Sequence, residues 1–144
     1  MTKNIITSVQ ERLHLDPIFK MDPNKPEGNV VKNKLVQAAL PAVLVGMFKA
    51  TRTDAAAAAL ISNVKQPWLQ RIFGNKAGVI VDKVASYAHE ESLPTGELME
   101  KIAATAYSCL ETQKEGGLDP ASLKDLLTLQ RHEILTYLPP QLDM

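Results

Sequence analysis

Three histidines, one cysteine and one glycine-bearing turn are the features of this chain with types suited to catalysis or metal binding. His14, His89 and His132 stand far apart. His89-Glu90-Glu91 comes nearest to a metal motif. The zinc-protease pattern H-E-x-x-H needs a second histidine at position 93, and that residue is Leu93. His89 and Glu90, adjacent on a helix, point about 100° apart and do not share a face. His132-Glu133 beside Arg131 reads as a surface cluster on an amphipathic helix rather than an acid–base pair. Cys109 falls on the apolar side of its segment and late in it. A nucleophilic thiol needs a nearby cation or a helix N-terminus, so Cys109 is expected to be buried and inert. Gly74-Asn75-Lys76-Ala77-Gly78 spaces its glycines too closely for a phosphate loop and follows no strand. The serines sit beside no nucleophile elbow. Neither a catalytic set, a metal site, a cofactor site nor a small-molecule substrate is indicated, and the chain is expected not to be an enzyme.

Charge is the feature that most suggests a partner. Sixteen Lys+Arg balance sixteen Asp+Glu over 144 residues. Residues 1–78 carry eleven basic and five acidic residues, and residues 79–144 carry five and eleven. Such an asymmetry suits docking of an acidic partner, or of a second copy, against the basic half. The candidate interaction residues are Lys49, Arg52, Lys65, Trp68, Arg71 and Lys76. Trp68 with Ile72 and Phe73 is either core or an exposed anchor.

The elements that must carry these residues read as helices throughout. Ile5, Val9 and Leu13 at i, i+4, i+8 place a helix at about 2–14. Residues 16–28 hold three of the nine prolines and form a looped segment, with Ile18, Phe19 and Met21 expected to pin it to the core. A long helix at about 28–51 is apolar nearly all round from Leu35 to Phe48, so other helices must surround it. Pro41 should kink it. Its 14-residue apolar stretch is short of the about 20 residues that cross a bilayer.

Thr53 caps the next helix, which contains the five alanines Ala55–Ala59. Pro67 opens a short helix bearing Trp68, Leu69, Ile72 and Phe73, which Gly74 ends, and Asn75 can cap the next. A helix at about 76–91 is expected to bury Ala77, Ile80, Val84 and Ala88. Ser92–Gly96, containing Pro94, reads as a break before a helix at about 96–114. Asp119-Pro120 starts the last helix, which is expected to bend near Leu129–Arg131 and to end at Pro139-Pro140.

These signals predict one all-α domain over residues 1–144, with an N-terminal helix and Pro-rich loop at 1–27 and a helical core at 28–144. The core is expected to be a compact bundle of about seven or eight helices around the central apolar, Pro-kinked helix. A single cysteine rules out an intramolecular disulfide and suits a reducing compartment. The N-terminus lacks the apolar core of about 7–15 residues that marks a secretory signal. The expected setting is cytoplasmic and soluble, without a membrane.

Three stretches carry a resemblance: Leu40-Pro41-Ala42-Val43-Leu44-Val45-Gly46, the turn Ile72-Phe73-Gly74-Asn75-Lys76, and Leu126 to Leu142 with its Leu-Leu…Gln…Leu-Pro-Pro pattern. In their order from Ala38 to Leu142 they resemble the bacterial YidB-like family, a domain family of unknown function. That resemblance implies a multihelical domain and no established activity, and it supplies no catalytic residues.

The expected function is therefore a non-enzymatic helical protein-interaction module with a protein partner or self-association. The alternative is DNA binding by a helix-turn-helix-like pair, with Lys49, Arg52, Lys65, Arg71 and Lys76 on phosphates. Nucleic acid is the less favoured partner, because no helix shows a basic face with base-reading residues clustered on it.

Overall fold

The computed structural model describes residues 5–20, 33–62, 65–113, 118–139 and 142. Of these, 82% are helical and none lies in a strand. The helices are α1 (Ile5–Leu13), α2 (Lys34–Ala50), α3 (Asp54–Ser62), α4 (Trp68–Phe73), α5 (Ala77–Ala88), α6 (Ser92–Gln113) and α7 (Pro120–Tyr137), with a 3-10 turn over Gly74–Lys76 between α4 and α5. Among the described residues six helices run nine residues or more, slightly below the expected count, and the six-residue α4 is a seventh.

Helix α2 is the axis of the fold. It packs against α3, α4, α5, α6 and α7, while α1 lies on α6 and α3 on α7. Every residue from Val36 to Met47 is buried, as the nearly uniform apolar composition requires. Asn33 starts the helix by accepting hydrogen bonds from the Leu35 and Val36 N–H groups, so α2 begins at Lys34 rather than near residue 28. The helix continues through Pro41. No single helix among the described residues is long and apolar enough to cross a membrane. Helices α2 and α3 would reach that length only together, and the chain bends by 119° between them.

Several local signals act as expected. Thr53 Oγ1 accepts from the Ala56 N–H. Asp119 caps α7 through the Ser122 N–H, with Pro120 in the first turn. Gly74 ends α4 at φ +59°. Asn75 caps nothing: it lies inside the 3-10 turn, and α5 starts without a side-chain cap.

A further boundary and one buried face differ from expectation. Ser92–Gly96 is no break but the first turn of α6. The first N–H groups of a helix have no intrahelical acceptor, so Pro94 costs no hydrogen bond there. Helix α7 runs unbroken through Leu129–Arg131. On α5 the buried stripe is Val81, Val84 and Ala85, rotated from the expected Ala77, Ile80, Val84 and Ala88. Ile80 and Ala77 are only partly covered, because α5 carries more apolar residues than one face can bury. Met21, expected to be buried, and Pro140, expected to help end the last helix, lie outside the described residues. Ile18 is buried as expected, whereas Phe19 is exposed at its side chain.

Polar side chains close the gaps between helices. Gln37, fully buried on α2, accepts from the Phe19 N–H at 2.9 Å and donates to the Phe19 and Tyr137 carbonyls at 2.9 and 2.8 Å. Gln130 on α7 accepts from the Ile5 N–H at 2.6 Å and so caps α1 from outside. Glu100 on α6 does the same for α4, taking the Trp68 and Leu69 N–H groups on its two carboxylate oxygens at 2.5 and 3.0 Å. Each contact pairs a helix-end donor or buried carbonyl that would otherwise be orphaned.

Candidate functional site

The structure brings no three of the histidines and the cysteine together. His14 and His89 both adopt positive φ, 54° and 57°, at the ends of α1 and α5. His89 and Glu90 return their N–H groups to the Ser86 and Ala85 carbonyls, a left-handed helix stop. His132 lies on the exposed side of α7. Cys109 is buried on α6. Among the described residues no group of three or more His, Cys, Asp and Glu side chains could hold a metal ion.

Trp68 and Arg71 form a cluster at the α4–α6 junction. The Trp68 and Tyr107 rings lie 4.9 Å apart, and the Arg71 guanidinium sits 4.2 Å from the Trp68 ring centroid. Arg71 Nε donates to the Gln66 carbonyl at 2.9 Å. Arg71 thus staples the turn ahead of α4 and stacks on an aromatic face. Trp68 is half-buried and packs against the core.

The six candidate residues divide. Lys49 and Lys76 meet on one groove, Trp68 and Arg71 form the separate cluster just described, and Arg52 and Lys65 are exposed in two different turns. The groove lies between α2, α4 and α5 and has a volume of about 560 Å³. Its apolar wall is Ile72, Phe73, Val79 and Ile80, and its rim carries Lys49, Lys76 and Lys83 with no acidic residue among its lining.

The sequence builds this groove from three pieces. Gly74 at positive φ turns the chain so that α4 and α5 splay apart. Phe73 closes against α2 at Gly46, where no side chain stands between the helices. On α5, Val81 and Val84 take the core side, which leaves Val79 56% exposed and Ile80 half-buried on the other.

Sequence reasoning named Lys49, Lys76, Ile72 and Phe73 but not Lys83, Val79 or Gly46 as part of an interaction surface. A signal for Lys83 and Val79 is present: Lys76, Val79/Ile80 and Lys83 stand at i, i+3/i+4 and i+7, one face of a helix. Gly46 carries no such signal, since its role depends on a side chain 27 positions away.

Chemically the groove offers a partly exposed apolar strip and three ammonium groups with rotatable donors. Its charged lining consists of three lysines and no carboxylate. Such a surface recognises shape, apolar area and negative charge. No family model, curated protein or solved structure matches this chain.

Proposed function

We propose that this protein is a non-enzymatic interaction module that docks an acidic, apolar-anchored protein segment in the α2–α4–α5 groove. The observation that carries this reading is the pairing of exposed apolar side chains, Val79 above all, with a rim of Lys49, Lys76 and Lys83 and no acidic lining. An apolar strip between like charges is costly to leave in water and is relieved by a segment presenting leucine-like anchors between carboxylates. Arg52 and Lys65 extend positive charge beyond the groove and steer such a partner. A cytoplasmic setting accords with the single buried thiol. We also propose membership of the YidB-like family, on the three stretches of sequence that resemble it.

The test is fluorescence anisotropy with a labelled synthetic peptide of Glu-flanked leucines whose sequence is not taken from this chain. Random duplex DNA serves as the second probe. The peptide is expected to bind, to weaken about tenfold or more in Lys76→Glu/Lys83→Glu, and to weaken with salt as exposed charges are screened. No binding, or binding indifferent to the double substitution, overturns the reading. DNA binding at about 10⁻⁶ M near physiological salt, with a steep salt slope, would replace it with the helix-turn-helix alternative.

A further inference from the structure

The same chain carries an exposed apolar surface flanked by acidic residues, opposite in charge to the groove rim. Leu93, in the first turn of α6, is 75% exposed, the highest value among the large hydrophobic residues described. Glu90, Glu91 and Glu97 around it are all exposed, and Lys101 stands at the edge of the same surface, so acidic residues outnumber basic ones there. Leu129, 71% exposed on α7, is the other protruding leucine. Its helix has Arg131 two residues on, stacked 5.5 Å from the Phe48 ring, so it lacks a uniformly acidic surround.

The Leu93 knob is held in shape before any partner arrives. Ser92 Oγ donates to Asp82 Oδ1 at 2.6 Å, tying the start of α6 to α5. Thr95 Oγ1 donates to the Glu91 carbonyl at 2.7 Å, and His89 holds the left-handed stop just before. A surface fixed this way loses little entropy on docking. The fourth carboxylate nearby, Glu100, is engaged by the α4 N–H groups and is not counted.

We infer that the groove of one molecule receives the Leu93 knob of a second copy, with Glu90, Glu91 and Glu97 set against Lys49, Lys76 and Lys83. This rests on the groove reading above and names its occupant. A second copy is required because α5 separates the two surfaces. Groove residue Val79 and the end of α5 at Ala88 are nine positions apart, about 14 Å along a rigid helix. No molecule can bend its own knob back into its own groove. The contact joins two different patches and is heterologous, so it propagates unless geometry closes it. A contact confined to one groove is small, at the weak and transient end of protein association.

Sedimentation equilibrium of the full chain tests this. The wild-type mass should rise with concentration and fall back toward monomer as salt increases. Leu93→Asp and Lys76→Glu/Lys83→Glu, all at surface positions, should each remain monomeric with unchanged circular dichroism. Mixed in equal amounts, the two variants should form a two-chain species and stop there, because only one intact groove and one intact knob remain. A wild type that stays monomeric to about 1 mM, the concentration at which even an association with a Kd of about 1 mM is substantially formed, overturns the inference. So does an association that survives both variants, or a mixture that fails to pair. If the peptide above still binds, the groove reading stands and only the second-copy assignment falls.

Discussion

Phe73 packs against the bare backbone of Gly46: a Cβ at position 46 would lie 2.5 Å from Phe73 Cζ and 2.8 Å from Ile72 Cγ2. Two opposing effects follow for Gly46→Ala. Alanine favours the helix by about 1 kcal/mol over glycine. Overpacking a closed contact costs about 1–3 kcal/mol. The Phe73 ring can swing toward the groove, but the Ile72 branch is close to its own backbone and buried, so the clash wins. Gly46→Ala should lower stability by about 1 kcal/mol in chemical denaturation. It should also weaken peptide binding, because the displaced ring fills the groove. A stability equal to or above the parent would show that Ile72 yields freely. Leu44→Ala on the same helix, which leaves a cavity instead, should cost about 2–5 kcal/mol.

Gln37→Leu preserves volume and removes one acceptor and two donated hydrogen bonds. The Phe19 N–H and the Phe19 and Tyr137 carbonyls then lose their partner. Each stranded buried group costs about 1–3 kcal/mol. Partial solvation near residue 19 reduces that, and a total loss of about 2–4 kcal/mol is expected. Hydrogen exchange at the Phe19 amide should accelerate. A neutral substitution would mean that water replaces the amide without cost.

Glu100→Gln tests the remote cap on α4. An amide has one acceptor oxygen where the carboxylate uses two, so one of the Trp68 and Leu69 N–H groups loses its acceptor. The negative charge at the helix N-terminus is lost as well. A destabilisation of about 0.5–2 kcal/mol is expected, the usual range for losing a cap. Glu100→Ala should cost at least as much. Trp68 fluorescence should shift as α4 loosens against Tyr107, and an unchanged spectrum in both variants would count against the cap.

The chain's three tyrosines, Tyr87, Tyr107 and Tyr137, all have phenol pKa values raised above the ordinary one, first by burial. Glu111 adds to the effect at Tyr107 while Arg71 opposes it, and Glu133 adds to it at Tyr137 through charge and a hydrogen bond. The unfolded chain releases these protons near the ordinary value of about 10. Above that pH it binds fewer protons than the folded chain, so stability falls as pH rises. The contribution is fully present below about pH 10 and is lost as pH climbs through the folded values. Phenolate absorbance should titrate later in native protein than in urea. Coincident curves would refute the assignment.

Much of this fold was legible from local chemistry. Asp119-Pro120, Thr53 and Gly74 act through their own backbone neighbours, so residue type and spacing suffice to place them. The all-apolar run of α2 announces a surrounded helix for the same reason: no arrangement leaving one side wet would be stable. The burial of Cys109 on α6 was also readable, because free cysteine is among the most buried residue types and this one falls on the apolar side of its segment.

Tertiary packing decided the rest. Pro94 reads as a breaker until the chain shows that it falls in a first turn, where its missing N–H has no duty. Glu100 and Gln130 look like ordinary polar residues of their own helices. Their function lies in helix ends 32 and 125 positions away, a distance no local pattern encodes. The groove is decided the same way. Lys76, Val79 and Lys83 share a helix face that the sequence displays. Which face of α5 turns inward depends on what α2 and α6 leave open, because its apolar residues could satisfy either choice. Lys49 joins that face only because Gly46 lets Phe73 draw α4 onto α2. The residue types and helices were therefore written locally, whereas the site came from steric and burial constraints between segments far apart in the chain.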